Sequence, residues 1–293
     1  MCFTSRSARH VYFDVVDTAL YHEFAMATAG IDTHVDLFGG AMVIAKLGSR
    51  CVDPHAVARE LDLIAEAVHE RVAERAGTEA LIQAINTELF EVCGFRGNTE
   101  NYSDPENSFL DRVIERRTGI PITLSLVYME IAQRVGLRCD GVGYPGHFLV
   151  RCGDPDDSVY LDPFAQGARR PVDDLVGALR GRHTGGPTPE SFLAAVTRRQ
   201  ILQRMLANLH TIFRNQRDLH SWLDVVELQL RMEPWNVALV GERGMLHYRL
   251  GERSQALDDL ERYVNAAPDP APTGAQRLLD QLRLDLRGSK ELQ

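Results

Sequence analysis

The chain has no pair of cysteines at metal-ligand spacing, no apolar run of about 18 residues that could cross a membrane, and no basic stripe interleaved with aromatics. Its five cysteines, Cys2, Cys51, Cys93, Cys139 and Cys152, are odd in number and contain no CxxC pair. That argues against a disulfide framework and a structural zinc site, and fits a reducing cytoplasm. Lys and Arg total 32 against 41 Asp and Glu, a formal charge of -9. Direct nucleic-acid binding is disfavoured, because neutralising phosphates takes clustered Lys and Arg. The first residues, "MCFTSRSARHVYFDVV", lack a sustained apolar stretch ahead of a small-residue cleavage site, so neither an export signal nor a membrane span is expected. Gly and Pro are scattered, which leaves little room for long disorder.

What is present is a chain of 293 residues, 44% hydrophobic and 25% charged, long enough for two domains and a sizeable core. The first fifty residues show no clear pattern. Asp53 and Pro54 then form a helix start, and Val57, Leu61, Ile64, Val68 and Val72 follow at amphipathic spacing. A second helix is expected from Thr78, with Leu81, Ile85, Leu89 and Val92 on one face and Gly94 as its stop. A turn at Asp104-Pro105 precedes a short helix from about Ser108 to Thr118, ended by Gly119. From Pro121 to Val135 the apolar residues run almost all the way round, the mark of a helix covered on several sides. Gly136 closes it.

The pattern then changes to short strands, "LRCDGVGY", "HFLVRC" and "VYLDPF", the last two joined by the turn-rich "GDPDDS". Its Asp residues do not match the ligand spacing of a calcium loop, and a solvated hairpin tip is the expectation. Pairing His147 to Cys152 with Ser158 to Asp162 sets His147 opposite Asp162, Leu149 opposite Tyr160 and Arg151 opposite Ser158. Residues 180 to 189, "RGRHTGGPTP", read as a linker, and the rest as helical, with "RRQILQR" an exposed helix face. Gly244, Gly251, Ala256 and Pro268 sit at the offsets of a tetratricopeptide (TPR) helix pair. A degenerate copy lies 34 residues upstream at His210, Arg217 and Trp222. Trp222 and Trp235 are expected in the core of these helices rather than on a partner-binding face.

A buried helix, a strand beginning "GHFLVR" and a strand ending "LDPF" follow the order of parts in transglutaminase-like and papain-like enzymes. There a cysteine at the helix start attacks a carbonyl, a histidine takes its proton and an aspartate or asparagine orients the imidazole. On "LFGGAMVIAKL", "NSFLDRVIERRTGIPITLSLVY", "GVGYPGHFLVR", "LDPF" and "DLERYV" the chain resembles the bacterial SirB-type proteins, a branch of the transglutaminase-like superfamily with a TPR-like tail. The resemblance implies an α+β fold: a papain/transglutaminase-like core, with a buried central helix on a small antiparallel sheet, flanked by N-terminal helices and a C-terminal TPR-like region. The expected limits are 1–98, 99–182 and 188–290.

By the same resemblance His147 is the superfamily's histidine, Asp162 its aspartate, and Pro121 falls where the cysteine belongs. Proline brings neither a nucleophile nor an N-H. The implied function is therefore that of a catalytically silent regulatory or scaffold protein acting by protein or peptide binding, without contact to DNA. The alternative is a hydrolase or acyltransferase that uses His147 and Asp162 with a nonstandard nucleophile. Thr123 and Ser125 are the hydroxyl candidates for it, and Cys139 and Cys152 the thiols. Each has a plainer reading, the hydroxyls bonding backbone and the cysteines packing as small apolar groups. Thr123, Ser125 and Asn107 are candidate binding residues, Asn107 first as a cap. No third metal ligand joins His147 and Asp162, and no cofactor is implied.

Overall fold

The computed structural model describes residues 9–180, 188–266 and 273–290. Most of the expected linker and Pro268 lie outside the described residues, as do the first eight positions. By its contacts the chain divides into two units: Ala27–Met205, and Leu206 onward together with the N-terminal helix up to Met26. Among the described residues no helix is long and apolar enough to cross a membrane.

Helix α1 (Arg9–Ala27) and helix α2 (Leu37–Ala45) occupy part of the first fifty residues, where the sequence shows no pattern. α2 is masked in the sequence because seven of its nine positions are buried, which erases any amphipathic period. Asp36 caps it by accepting the Gly39 N-H.

Helix α3 (Pro54–Glu70) starts as expected, with Asp53 accepting the His55 N-H and Pro54 in the first turn, and it buries Val57, Leu61, Ile64 and Val68. Helix α4 (Thr78–Asn86) keeps its expected face through Leu89 and departs from it at Val92. The helix widens into a π turn over Thr87–Val92, which rotates the register so that Phe90 is buried and Val92 stands 58% exposed. Strand β1 (Arg96–Gly97) follows. Helix α5 (Leu110–Arg116) ends at Arg117, whose φ of 52° makes the left-handed cap assigned to Gly119 from sequence. Gly119 instead belongs to strand β2 (Thr118–Gly119), which runs parallel to β1.

Helix α6 (Pro121–Arg134) is the centre of the first unit. Eleven of its residues are buried, and it packs on α3, α4 and α5 and on the sheet strands that follow. These are β3 (Cys139–Val142), β4 (Leu149–Cys152), β5 (Val159–Asp162) and β6 (Ala168–Arg169), an antiparallel sheet in sequence order. The β4–β5 register is Val150 with Leu161, Arg151 with Tyr160 and Cys152 with Val159. This is two residues off the expected pairing. A slip of two keeps every side chain on its face, so His147 and Asp162 still meet, as diagonal rather than direct neighbours.

Cys139 lies directly opposite Cys152 on β3 and β4, with Cα atoms 4.1 Å apart, and the two are joined in a disulfide. That corrects the reading of these cysteines as separate apolar fillers. Their odd total carries no information on which pair a hairpin places face to face.

Helix α7 (Val172–Arg180) packs Leu175 and Val176 against Val142 and Leu149 of the sheet. Past the linker, Val196 donates to the Gly141 carbonyl and leads into α8 (Arg198–Gln216). The "RRQILQR" stretch is not an exposed face. Ile201 and Leu202 are fully buried, and Arg199 and Arg204 are half-buried.

In the second unit, α9 (Leu219–Met232), α10 (Val237–Leu250), α11 (Arg253–Ala266) and α12 (Thr273–Lys290) form successive helix hairpins. Gly244 of α10 lies against Leu260 of α11, where a Cβ would come within 3.0 Å of its side chain. Ala256 is wholly buried in the cluster with Leu260, Leu279 and Leu282. Gly251 ends α10 at φ 83°, and Arg217, at the equivalent place in the copy upstream, adopts φ 57°. The degenerate copy thus keeps the backbone. Where the later copy closes its helices with Gly244 and Ala256, the earlier one fills the space with His210 and Trp222, ring centroids 5.9 Å apart. Trp222 is core, but Trp235 is 73% exposed, against expectation. It falls in the turn between α9 and α10, beyond the reach of either helix face.

Two outcomes follow for this unit. Replacing Ala256 with Phe should lower stability by about 1–3 kcal/mol, the usual cost of overpacking a full core, read as a lower urea midpoint with unchanged helix content. His210 gives a pH dependence. Its Nε2 lies 3.0 Å from Glu242 Oε1 and its Nδ1 2.8 Å from Gln229, and the Glu242 contact raises its pKa against the lowering by burial. A folded-state pKa above the unfolded value near 6.5 means the folded chain holds this proton more tightly. The stabilisation is complete below about pH 6.5 and disappears as pH rises through the raised value. The stability gap between wild type and His210→Gln, measured by chemical unfolding, should therefore shrink between pH 6 and pH 9.

Candidate functional site

Pro121 opens α6 with a φ already suited to the first helical position and with no N-H to leave unpaired. Thr123 satisfies the amide just ahead of the helix. Its Oγ1 accepts the Ile120 N-H at 3.1 Å and donates to the Asn107 carbonyl at 2.7 Å. Asn107, itself wholly buried, donates from Nδ2 to the carbonyls of Asn101 and Tyr102 and accepts from Asn98 Nδ2. The helix start is thereby tied to the loop that carries Tyr102. Ser125 is buried with Oγ 3.5 Å from the Phe148 carbonyl.

His147 stands just ahead of β4, in a turn closed by its own N-H donating to the Tyr144 carbonyl. Its Nε2 is 2.9 Å from Oδ1 of Asp162, the last residue of β5. The ring N-H is not aligned on that oxygen, so the contact has ion-pair distance without hydrogen-bond geometry. Asp162 is 4% exposed and also accepts the Ala165 N-H, capping the short turn that follows. Phe164 of that turn meets the His147 ring edge-on at 5.9 Å, and Tyr102 meets Phe164 at 6.4 Å. Gly97 makes room for this ring: a Cβ there would be 2.6 Å from Phe164.

The structure thus brings His147 and Asp162 together, and links Thr123 and Asn107 to the same region through backbone contacts. Among the described residues no hydroxyl or thiol is hydrogen-bonded to the His147 ring. Cys139 and Cys152 are held in their disulfide. The free thiol of Cys93 sits beside Glu88, and burial together with that carboxylate raises its pKa, which disfavours the reactive thiolate. Also among the described residues, no cluster of three or more His, Cys, Asp or Glu is placed to hold a metal ion.

Three residues of this region escaped the sequence reading. Tyr102 lies in a polar loop with no periodic signal, and Phe164 was visible only as the last letter of "LDPF". Arg204 falls within a segment that reads as solvated. Its Nη2 donates to the His147 carbonyl at 2.5 Å and the Tyr144 carbonyl at 3.2 Å, and its guanidinium lies 5.3 Å from the Phe148 ring. Arg204 therefore fixes the turn that presents His147.

A buried helix on an antiparallel sheet, with a histidine and an aspartate at adjoining strand ends, defines a transglutaminase-like core. The chain belongs to the transglutaminase-like superfamily, whose family model matches residues 55–207, and a tetratricopeptide-repeat model matches residues 209–283. A UPF0162 protein of Xylella fastidiosa strain Temecula1 is 34% identical over 243 residues, covering 81% of this chain and 86% of that protein. The UPF0162 protein of Vibrio cholerae is 28% identical, covering 70% and 74%. Human F-box only protein 21 is 29% identical over 245 residues, covering 74% of this chain but 38% of that protein. No solved structure matches the chain.

The Thr123 contacts predict a structural cost that needs no catalysis. Thr123→Val keeps the shape but strands the Ile120 N-H and the Asn107 carbonyl, and should lower stability by about 1–3 kcal/mol. Thermal unfolding would show it, and an unchanged midpoint would mean that water replaces the hydroxyl.

Proposed function

We propose that this protein is a SirB-type regulatory or scaffold protein whose transglutaminase-like core is catalytically silent and captures a protein or peptide at the surface around His147. The TPR region supports an interaction role, because paired helices of this kind present extended binding surfaces. The observation that carries the reading is Pro121 at the start of α6, where the superfamily's nucleophile belongs, with Thr123 bonded into the backbone beside it. In this reading His147 and Asp162 are the kept remnant of a triad. Thr123, Asn107 and Ser125 hold the surface in shape. The ring series Tyr102, Phe164 and His147 forms its face, and aromatic residues of this kind concentrate binding energy in protein interfaces.

The 2.9 Å contact of His147 with Asp162 favours one alternative, a hydrolase or acyltransferase in which this pair activates water or an added nucleophile. The two readings separate in one pair of measurements. Affinity capture from a bacterial lysate with wild type and His147→Ala should lose a specific partner in the variant while its melting curve stays within a few degrees. Amide- and ester-hydrolysis assays with the same two proteins should show no difference between them. Activity abolished by His147→Ala would replace the binding reading with the enzymatic one. Capture that ignores the substitution would move the interaction to the TPR region.

A further inference from the structure

Glu79, Ile82, Asn86 and Phe90 recur at helical spacing along α4 and the π turn that follows it, and they line a cavity of about 360 Å³ wholly within the first unit. Gln166, in the turn between β5 and β6, and Arg169 on β6 form its other wall. Two contacts tie the walls together: Arg169 pairs with Glu79, and Asn86 Nδ2 donates to the Gly167 carbonyl at 3.3 Å. Gly167 sits at φ 73°, and a Cβ there would collide with the Asn86 side chain, so this close approach depends on glycine. Small-molecule pockets begin at roughly 300 Å³, so the space suits one compact ligand or a single side chain. A π turn gives up regular helix geometry and is found mostly where a helix serves a site. Here it carries Phe90 and Glu91 into the lining.

The lining says what would fill the cavity. The orientation of the Asn86 amide is fixed, because the Gly167 carbonyl can only accept. Its Oδ1 is thereby left buried and without a hydrogen-bond partner among the described residues, a deficit that a donor from a ligand removes. Two carboxylates, Glu79 and Glu91, face one guanidinium, that of Arg169, which Glu79 already engages. The charge left over is that of Glu91, which no Lys, Arg or His meets among the described residues. The amides of Gln83 and Gln166 can serve as donor or acceptor, and the buried Ile82 and Phe90 supply an apolar floor. Spare acceptors and one excess negative charge beside an apolar floor suit a primary ammonium on an aliphatic stem, which brings three N-H donors, one positive charge and methylenes. An anion would instead oppose Glu91 and the Asn86 oxygen.

We propose that this cavity binds a primary alkylammonium group, held by Asn86 Oδ1 and Glu91 with its stem against Ile82 and Phe90. None of the lining residues belongs to the surface around His147. The inference therefore stands apart from the binding reading above, and either can fail without the other.

The test uses the full-length, isotope-labelled chain at pH 7 and follows the Asn86 side-chain amide and the Gly167 backbone amide during titration with four probes. Pentylammonium presents a free amine and N-acetyl-lysine methylamide the side chain of a peptide lysine, while 1-pentanol is the neutral control and pentanoate the anionic one. Saturable shifts are expected with one or both amines, with at least about 10-fold weaker binding of pentanol, the size of one charged hydrogen bond. The arm that responds tells a free amine from a lysine side chain. Asn86→Ala should weaken amine binding by about 10-fold, and Glu91→Gln, at the exposed rim, by about 3-fold. Glu66→Gln, which removes an exposed carboxylate of α3 outside the cavity, should leave it unchanged. If Asn86→Ala does not fold, as judged by circular dichroism, the wild-type probe series and Glu91→Gln decide. No saturable shift, equal binding of pentanol, tighter binding of pentanoate than of both amines, a response untouched by Asn86→Ala and Glu91→Gln, or an equal loss with Glu66→Gln would each overturn the proposal.

Discussion

Everything in the first unit depends on the start of one helix. α6 is buried on nearly all sides, and a helix so covered cannot leave its first-turn polar groups to water. Proline removes one of those groups outright. Thr123 satisfies another by taking the Ile120 N-H, and in the same move its hydroxyl fastens the Asn107 carbonyl. Asn107 in turn holds the loop that ends in Tyr102. The contacts that let α6 be buried are thus the contacts that shape the surface next to His147.

The same region holds His147 and Asp162 within 2.9 Å of each other. In an enzyme the same helix start is an asset because its amides and dipole favour a thiolate. Here Pro121 occupies the first helical position. His147 and Asp162 keep a place in the architecture nonetheless. Asp162 caps the turn that carries Phe164, and the His147 backbone anchors Arg204. Both residues position neighbours whatever the state of the chemistry.

The second unit shows how a repeat survives the loss of its sequence signature. Small residues at Gly244 and Ala256 let α10 and α11 approach closely. The copy upstream has lost them, yet Arg217 adopts the same left-handed turn as Gly251. His210 and Trp222 fill the space with rings tilted at 57° to each other and a polar network to Gln229 and Glu242. A residue-by-residue match to the repeat pattern misses this copy because bulk and hydrogen bonding have replaced smallness.

The sequence by itself determined the elements whose cause is local. Asp53-Pro54 starts a helix, the encircling apolar residues from Ile122 to Val135 mark α6 as central, and Pro121 opens it at the first helical position. The nearness of His147 to Asp162 was also legible, since strand alternation survives a register error of two residues. Tertiary structure alone decided the rest. Val92 faces solvent because a π turn rotates the helix beyond Asn86. Cys139 meets Cys152 only once the β3–β4 register is fixed. Arg204 and His147, 57 positions apart in the chain, meet only where α8 packs on the turn ahead of β4. Long-range pairings of this kind leave no periodic trace, because each residue follows a local pattern that its neighbours across space are free to override.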